Sequence, residues 1–208
     1  AYSVIEVSDP KRKKALAELC ADQVQIHQSP TFLVFCADLN RDRLAGQLHG
    51  VENFDTDYVE ALLIATVDAA LVLQNVALSA ESHGLGICMI GAIRIHPKAV
   101  GKMLNLPPLV YAVAGLCLGY PAKDQQQKPR LPLETILHPE RYPEDDQQIN
   151  HIKRYDQTMV EFYSSQAMHD KDPRWSKVMA ARTARFHERA ELDEYLSDQG
   201  FHFKSSTP

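Results

Sequence analysis

The chain has 208 residues, enough for one large domain or two small ones with a substantial buried core. Its composition is that of a globular protein, with 45% hydrophobic and 24% charged residues. A formal charge of −5 argues against the broad basic face of a nucleic-acid platform, but leaves room for a small basic pocket. The four cysteines, Cys20, Cys36, Cys88 and Cys117, are scattered and form no CxxC pair. Three of them sit in apolar runs, where a thiol behaves as a small hydrophobe. Reduced structural thiols of a cytoplasmic protein are therefore expected, rather than disulfides or a zinc site.

The beginning of the sequence carries no basic region followed by an apolar one, so no signal peptide is read there. The longest apolar stretch, Ala61 to Ala80, is interrupted by Asp68, Gln74 and Asn75, which hydrocarbon would not tolerate on a lone helix, so no membrane span is expected.

In chain order, Ser3–Val7 is short and β-branched and reads as a strand. Asp9-Pro10 opens a helix, with Asp9 as cap and Pro10 in the first turn. That helix runs through Lys11–Leu19, turning Leu16 and Leu19 inward and a basic face outward. Thr31–Ala37 (T-F-L-V-F-C-A) is apolar almost throughout, the pattern of a central strand buried on both faces. A polar connection is expected around residues 40–53.

A long helix is predicted over about Thr56–Ser82. Leu62, Leu63, Ile64, Val67, Leu71, Val72, Leu73, Val76 and Leu78 nearly encircle it, and such a helix must be covered on all sides. Either a second subunit covers it, or it is a central helix wrapped within one subunit. His83-Gly84 ends it, glycine being free to turn left-handed. Gly86–Ile90 is a strand, Pro97–Leu104 a short helix, and Val110–Gly119 a second buried strand closed by Tyr120-Pro121. A polar loop spans residues 124–132. Helical stretches are expected near Ile149–Ser165 and Ser176–Gln199; this tail could not form a core alone.

The sequence holds no G-x-S-x-G, P-loop, G-x-G-x-x-G or H-E-x-x-H motif. His83 and His96 lack a carboxylate at ligand spacing and read as solvated or capping residues, so no metal site is expected. Two segments could carry chemistry. Met89-Ile90-Gly91-Ala92-Ile93-Arg94 ends a strand with two minimal side chains, so a planar ligand can approach the backbone there, beside the fixed charge of Arg94. Lys128-Pro129-Arg130-Leu131-Pro132 holds two cations on a stretch stiffened by two prolines, which limits the entropy lost on closing around an anion. Each also has a plain reading, as a tight turn and as a basic loop.

Taken together and in order, G-L-G-x-x-x-I-G-A-I-R, then G-L-C-L-G-Y-P, then K-P-R-L-P resemble the FMN-containing nitroreductase and flavin-reductase family. The subgroup is that of the oxygen-insensitive nitroreductases and NADPH-dependent flavin reductases. The similarity runs nearly the whole chain, through F-L-V-F-C-A-D at residues 32–38, A-E-S-H-G-L-G at 80–86, Arg174-Trp175-Ser176 and Y-L-S-D-Q-G-F at 195–201. Gln23 falls in the family's G-x-Q-like position.

The resemblance implies an α+β nitroreductase-type fold: a central, mostly antiparallel sheet flanked by helices, with a helical C-terminal extension, in an intertwined homodimer. Residues 1–122 would form the core and residues 123–208 an extension packing on the core and the partner. It implies FMN as cofactor, NADPH or NADH as co-substrate, and nitroaromatics, quinones or flavins as acceptors. Hydride would pass through flavin N5 by a ping-pong mechanism, with no side chain acting as catalyst.

Gln23 would bond the pyrimidine side of the flavin, while Ile90, Gly91 and Ala92 would line the ring near N5; Ala92 stands where the family usually has a second glycine. Lys128 and Arg130 would hold the ribityl phosphate or the charged flavin edge, with Arg94 close by. Arg189 would face the substrate or nicotinamide pocket, and Lys171 and Arg174 the NADPH 2′-phosphate, though Asp172 and Pro173 between them depart from the family pattern. Family members carry a further N-terminal helix and loop with an H-R-S-x-R-like motif that clamps the cofactor. The sequence starts after that position and without methionine, so it is expected to be part of a longer chain. The alternative expectation is a flavin-binding protein with weak or no turnover.

Overall fold

The computed structural model describes residues 1–51, 53–122, 126–166 and 172–202. Apolar alternation and β-branching build four strands, β1 (Tyr2–Val7), β2 (Thr31–Asp38), β3 (Gly86–Ile90) and β4 (Val110–Gly119). They pair antiparallel throughout in the order β1-β2-β4-β3. β2 and β4 occupy the centre and are buried on both faces, as their apolar runs require. The described helices are α1 (Pro10–Leu19), α2 (Val24–Gln28), α3 (Asn40–Leu48), α4 (Val59–Ser82), α5 (Pro97–Met103), α6 (Asp145–Ser165), α7 (Trp175–Thr183) and α8 (Glu191–Asp198).

Two compact units are present: residues 1–122 together with 188–208, and residues 123–187. In the first, one face of the sheet packs Leu16, Ala17, Cys20, Ile26, Ile93 and Val100 against Phe32, Val34 and Cys36. The other face receives α4 and α8. Residues 195–201 are held there by Tyr195, Leu196 and Phe201, all buried, by the edge-on contact of Phe201 with Tyr111 (6.0 Å), and by a hydrogen bond from Thr56 Oγ1 to Gly200 O (2.7 Å). The second unit is built on α6, whose buried stripe His151, Tyr155 and Met159 follows the four-residue spacing of one helix face.

Asp9 caps α1 as expected, accepting a hydrogen bond from Arg12 N (2.8 Å). The basic face of α1 is not wholly outward: Lys13 is buried and its Nζ donates to Ser29 O. α4 lays the small residues Ala65, Ala69, Ala77 and Ala80, with Leu73, on the sheet, which permits close approach. Its far side leaves Leu63, Ile64, Val67, Leu71 and Leu78 about half exposed, so the chain does not wrap this helix on all sides. By length and composition alone α4 would also be long and apolar enough to cross a membrane. Here it packs on β2 and β4, and its Asp68 lies 2.6 Å from the Ala1 nitrogen.

Two further expectations need correction. Residues 40–53 are not a connection only, because Asn40–Leu48 is a helix. It buries no side chain, so it lacks the apolar stripe that signals a helix; local bonds hold it, including Arg43 to Asn40 Oδ1 (2.7 Å) and Arg41 N to Asp38 Oδ1 (3.3 Å). Nor is Ser176–Gln199 one helix. It divides into α7, a 3-10 turn at Phe186–Arg189 and α8, because α7 and α8 belong to different units.

Candidate flavin site

β3 ends at Ile90 and the chain turns at once into a 3-10 turn, Gly91–Arg94, leading to α5. Ile90 and, within the turn, Ile93 are fully buried and Ala92 nearly so. Ile90 lies opposite Gly115, where an added Cβ would meet Phe32 Cζ at 2.3 Å and Ile90 Cβ at 3.3 Å. Gly91 is the small residue of the run that reaches the surface. A Cβ built on it meets only Arg94 Nη2, at 3.6 Å, so its open backbone is not required by packing within the chain.

Two guanidinium groups flank Gly91. Arg189 Nη1 donates to Gly91 O (3.4 Å) across 98 residues of sequence. Arg94 Nη1 donates to Val113 O, and that bond has a cause in the sheet. Phe35 pairs with Ala114 and Cys36 with Ala112, so Val113 is the extra residue of a β-bulge in β4. The side chains confirm the slip, since Tyr111 and Val113 face α4 and α8 and so does Ala114. The bulge takes the Val113 carbonyl out of the ladder and Arg94 satisfies it. Near this bond lies Tyr111, whose hydroxyl shares a hydrogen bond with Thr66 Oγ1 on α4 (2.5 Å); burial raises the Tyr111 pKa, against the Thr66 bond and the Arg94 charge, which lower it.

Gln23 begins α2 as its N-cap, but its side chain makes no cap hydrogen bond and is half-buried. The two residues before it, Ala21 (φ 59°) and Asp22 (φ 51°), both stand in the left-handed region. This tight reversal closes α1, with Asp22 N bonded to Ala17 O (2.8 Å) and the Asp22 carboxylate to His27 Nε2 (2.7 Å). Sequence reading missed the reversal, because Ala21 is not a residue type that favours this region.

In the second unit Lys128 and Arg130 are exposed, while the backbone between them is tied down. Tyr155 Oη donates to Pro129 O (2.9 Å), Arg130 Nη1 to Lys128 O (3.1 Å), and Lys128 Nζ lies 5.3 Å from the Tyr163 ring centroid. Arg174 folds onto Asp172, with Nε 2.9 Å from Oδ1 and Nη2 2.5 Å from Oδ2, and Lys177 Nζ joins Oδ2 at 3.0 Å. These bonds, that of Arg174 first, hold the Asp172 carboxyl well below the usual carboxylate range. Lys177 is a cation that sequence reading missed. Lys171 lies outside the described residues. His83 Nδ1 bonds Ser79 O (2.7 Å) at the end of α4, and His96 is exposed.

The first unit thus offers a bare backbone turn with two guanidinium groups close to it. A flat ring fits against such a turn, and cations fit a ring that gains negative charge on reduction. The features shared with known proteins give this shape its class. The nitroreductase family matches residues 2–120, and the nitroreductase family C-terminal domain matches residues 128–204. The chain belongs to the nitroreductase family. It is 38% identical over 200 residues to the FMN reductase [NAD(P)H] of Bacillus subtilis, covering 96% of this chain and 80% of that protein. To the oxygen-insensitive NADPH nitroreductase of Salmonella typhimurium it is 36% identical, over 96% of this chain and 80% of the relative. Among solved structures, the hypothetical oxidoreductase YcnD from Bacillus subtilis superposes with a TM-score of 0.94 at 37% identity, covering 98% of this chain and 82% of that one.

Proposed function

We propose that this chain is an FMN-dependent oxidoreductase that carries hydride from NADPH or NADH to flat, electron-poor acceptors: nitroaromatics, quinones or flavins. The observation that carries the reading is Gly91, whose open backbone lies close to both Arg94 and Arg189 in a chain whose relatives are named FMN reductase and NADPH nitroreductase. Bound FMN supplies the hydride-accepting N5, chemistry that side chains do not provide. The residues of the chain bind and orient. Ile90, Gly91 and Ala92 line the ring near N5, Ile90 and Ala92 through their backbone because their side chains are buried. Gln23 brings its amide to the pyrimidine side.

Arg94 adds a cation anchored through the Val113 bulge, so its position is fixed before ligand arrives and little reorganisation accompanies charge development. Lys128 and Arg130 are assigned, on the family resemblance, to the phosphate or the charged edge of FMN. Arg189, Lys171 and Arg174 are assigned to the nicotinamide donor and the acceptor. Donor and acceptor occupy one pocket in turn, which gives ping-pong kinetics. Residues 1–122 are read as the core of this activity and residues 123–208 as its extension. The protein works in the cytoplasm, where its thiols stay reduced.

A homodimer completes the reading. Leu63, Ile64, Val67, Leu71 and Leu78 leave an apolar side of α4 exposed, and a second copy would cover it. Sedimentation should give the mass of a dimer, and a monomer at micromolar concentration would reject it. For the activity, the purified protein mixed with FMN should retain a visible flavin band after desalting and should oxidise NAD(P)H when menadione or nitrofurazone is supplied. Absence of both would overturn the assignment. A flavin band with no NAD(P)H oxidation would instead identify a flavin-binding protein without turnover.

A further inference from the structure

The Lys128–Pro132 strap has little secondary structure of its own, and its two cations are exposed, so something else must set where they point. α6 does this from below. Tyr155 is only 5% exposed, and its hydroxyl donates to Pro129 O (2.9 Å), the carbonyl between the two cations. The Tyr155 ring is itself braced, meeting Trp175 edge-on at 6.0 Å. Trp175 begins α7, and α7 is fastened to α6 by Asp156, which accepts from Ser176 N (2.8 Å) and Ser176 Oγ (2.5 Å). Two turns along α6 from Tyr155, the Tyr163 ring underlies Lys128 Nζ at 5.3 Å. Arg130 closes the arrangement by donating to Lys128 O (3.1 Å).

We infer that Tyr155 is a positioning residue for cofactor binding: with Tyr163 it fixes Lys128 and Arg130 in the geometry that receives the anionic part of FMN. The inference rests on the assignment of those two cations to FMN. The physical reason is entropy. A lysine and an arginine on a free loop must be ordered when an anion binds, whereas a strap already held at one carbonyl and over one ring loses less on binding. Prolines at 129 and 132 fix two φ angles, but they do not fix the strap to anything; the Tyr155 hydroxyl does.

The test is FMN affinity of the whole chain, read from quenching of free-flavin fluorescence, with thermal unfolding recorded beside it. Lys128→Ala and Arg130→Ala should each weaken FMN binding. Tyr155→Phe keeps the ring against Trp175 and removes only the hydroxyl; it should raise the Kd by about five- to tenfold, the scale of one lost hydrogen bond. Combined with Arg130→Ala, its effect should shrink to less than twofold, because a strap without its arginine has less to position. Tyr163→Leu should weaken binding as well, and Tyr163→Phe, which keeps the ring beneath Lys128, should restore it. These Tyr163 variants decide the matter if Tyr155→Phe does not fold.

Three results overturn the inference, and they differ. No FMN binding by the unsubstituted chain would remove the assignment of the cofactor. Normal binding by Lys128→Ala and Arg130→Ala would remove the assignment of the cations. Weakened binding by those two, with Tyr155→Phe and Tyr163→Leu unchanged, or with the Tyr155→Phe and Arg130→Ala effects multiplying in full, would remove the positioning role alone.

Discussion

Arg189 reaches back across 98 residues to place its Nη1 3.4 Å from the carbonyl oxygen of Gly91. A donor at that distance is at the weak end of hydrogen bonding, so the contact orients the guanidinium more than it stabilises the fold. Replacing Arg189 with alanine should therefore cost less than about 1 kcal/mol of stability. Its charge beside the open turn should matter far more to a donor carrying phosphates. The expected result for Arg189→Ala is a KM for NAD(P)H raised about tenfold or more, with FMN affinity changed less than twofold. Equal loss of FMN binding would move Arg189 from the nicotinamide to the flavin.

Two glycines separate packing from ligand approach. At Gly115 an added methyl would sit 2.3 Å from Phe32 Cζ and 2.6 Å from Cε2, inside the fully packed centre of the sheet. Gly115→Ala should lower stability by about 1–3 kcal/mol. At Gly91 the same methyl meets only the end of Arg94, at 3.6 Å. Gly91→Ala should unfold within about 0.5 kcal/mol of the parent, yet bind FMN measurably more weakly, because the methyl fills the side the ring is to occupy. Calorimetry and flavin titration on the two variants check both halves. A Gly91→Ala protein with unchanged flavin affinity would show that the ring does not lie on this turn.

The strands and the long helix were legible because their signals are strong and local. T-F-L-V-F-C-A has nowhere to go but the middle of a sheet, and the α4 run is long and apolar enough to read as a helix, although which side meets the sheet, alanines inward with Leu71 and Val67 outward, was not legible. The open turn at Gly91, the candidate ring side of the site, was legible because a missing side chain is itself a signal. What holds Arg94 was not: a bulge at Val113 is a mismatch between two strands, and nothing in V-Y-A-V-A-G announces it. The same holds for Tyr155, which in sequence is one more aromatic on an amphipathic helix. Its partner, a proline carbonyl 26 residues away, appears only once the strap is folded. α2 was missed because five residues are too few to show a period.

The Asp172 carboxylate holds Arg174 and Lys177 together and is kept ionised well below the usual carboxylate range by those partners. Arg174 is thereby turned to an internal anion instead of an incoming phosphate. Asp172→Asn should release both cations while keeping the shape of the side chain. The expected outcome is a KM for NADPH lowered roughly three- to tenfold with little change for NADH, since only the former carries a 2′-phosphate. Parallel changes for the two donors in steady-state assays would show that this cluster does not read the phosphate.

The thiols set an alkaline limit on stability. Burial pushes Cys20 and Cys36 up to about 12, with the neighbouring Cys117 and Asp38 charges acting in the same direction. Cys117 rises to about 11, also through burial and against a bond from Ser29. In the unfolded chain these thiols ionise near the ordinary value of 9.0. Above that pH the unfolded state holds fewer protons than the native state, so stability is complete below pH 9 and falls as pH rises towards 12. Denaturant midpoints measured from pH 8 to 11 should decline, and replacing Cys117 with alanine should make the decline shallower. At pH 8 a disulfide reagent should leave Cys20, Cys36 and Cys117 unreacted in the native protein, because the thiolate is the reactive form, and all four thiols should react in denaturant.

Ala21 offers a test of the turn that delivers Gln23. Its φ of 59° puts an L-residue with a Cβ in the left-handed region, at a cost of roughly 1 kcal/mol, and Asp22 follows in the same region. The turn persists because it is over-determined: Cys20 and Asp22 both return their N–H groups to α1, and Ile26, at the centre of α2, is fully buried. Glycine at position 21, the residue type of the related G-x-Q pattern, removes the Cβ conflict. Ala21→Gly should raise stability by about 0.5–1 kcal/mol, although glycine ordinarily loses more entropy on folding. The α2 position should not change, so FMN affinity should rise by no more than about twofold. A destabilised Ala21→Gly protein would show that the left-handed conformation is not strained here. A large change in flavin affinity would show that strain at Ala21, rather than burial of Ile26, sets where Gln23 lies.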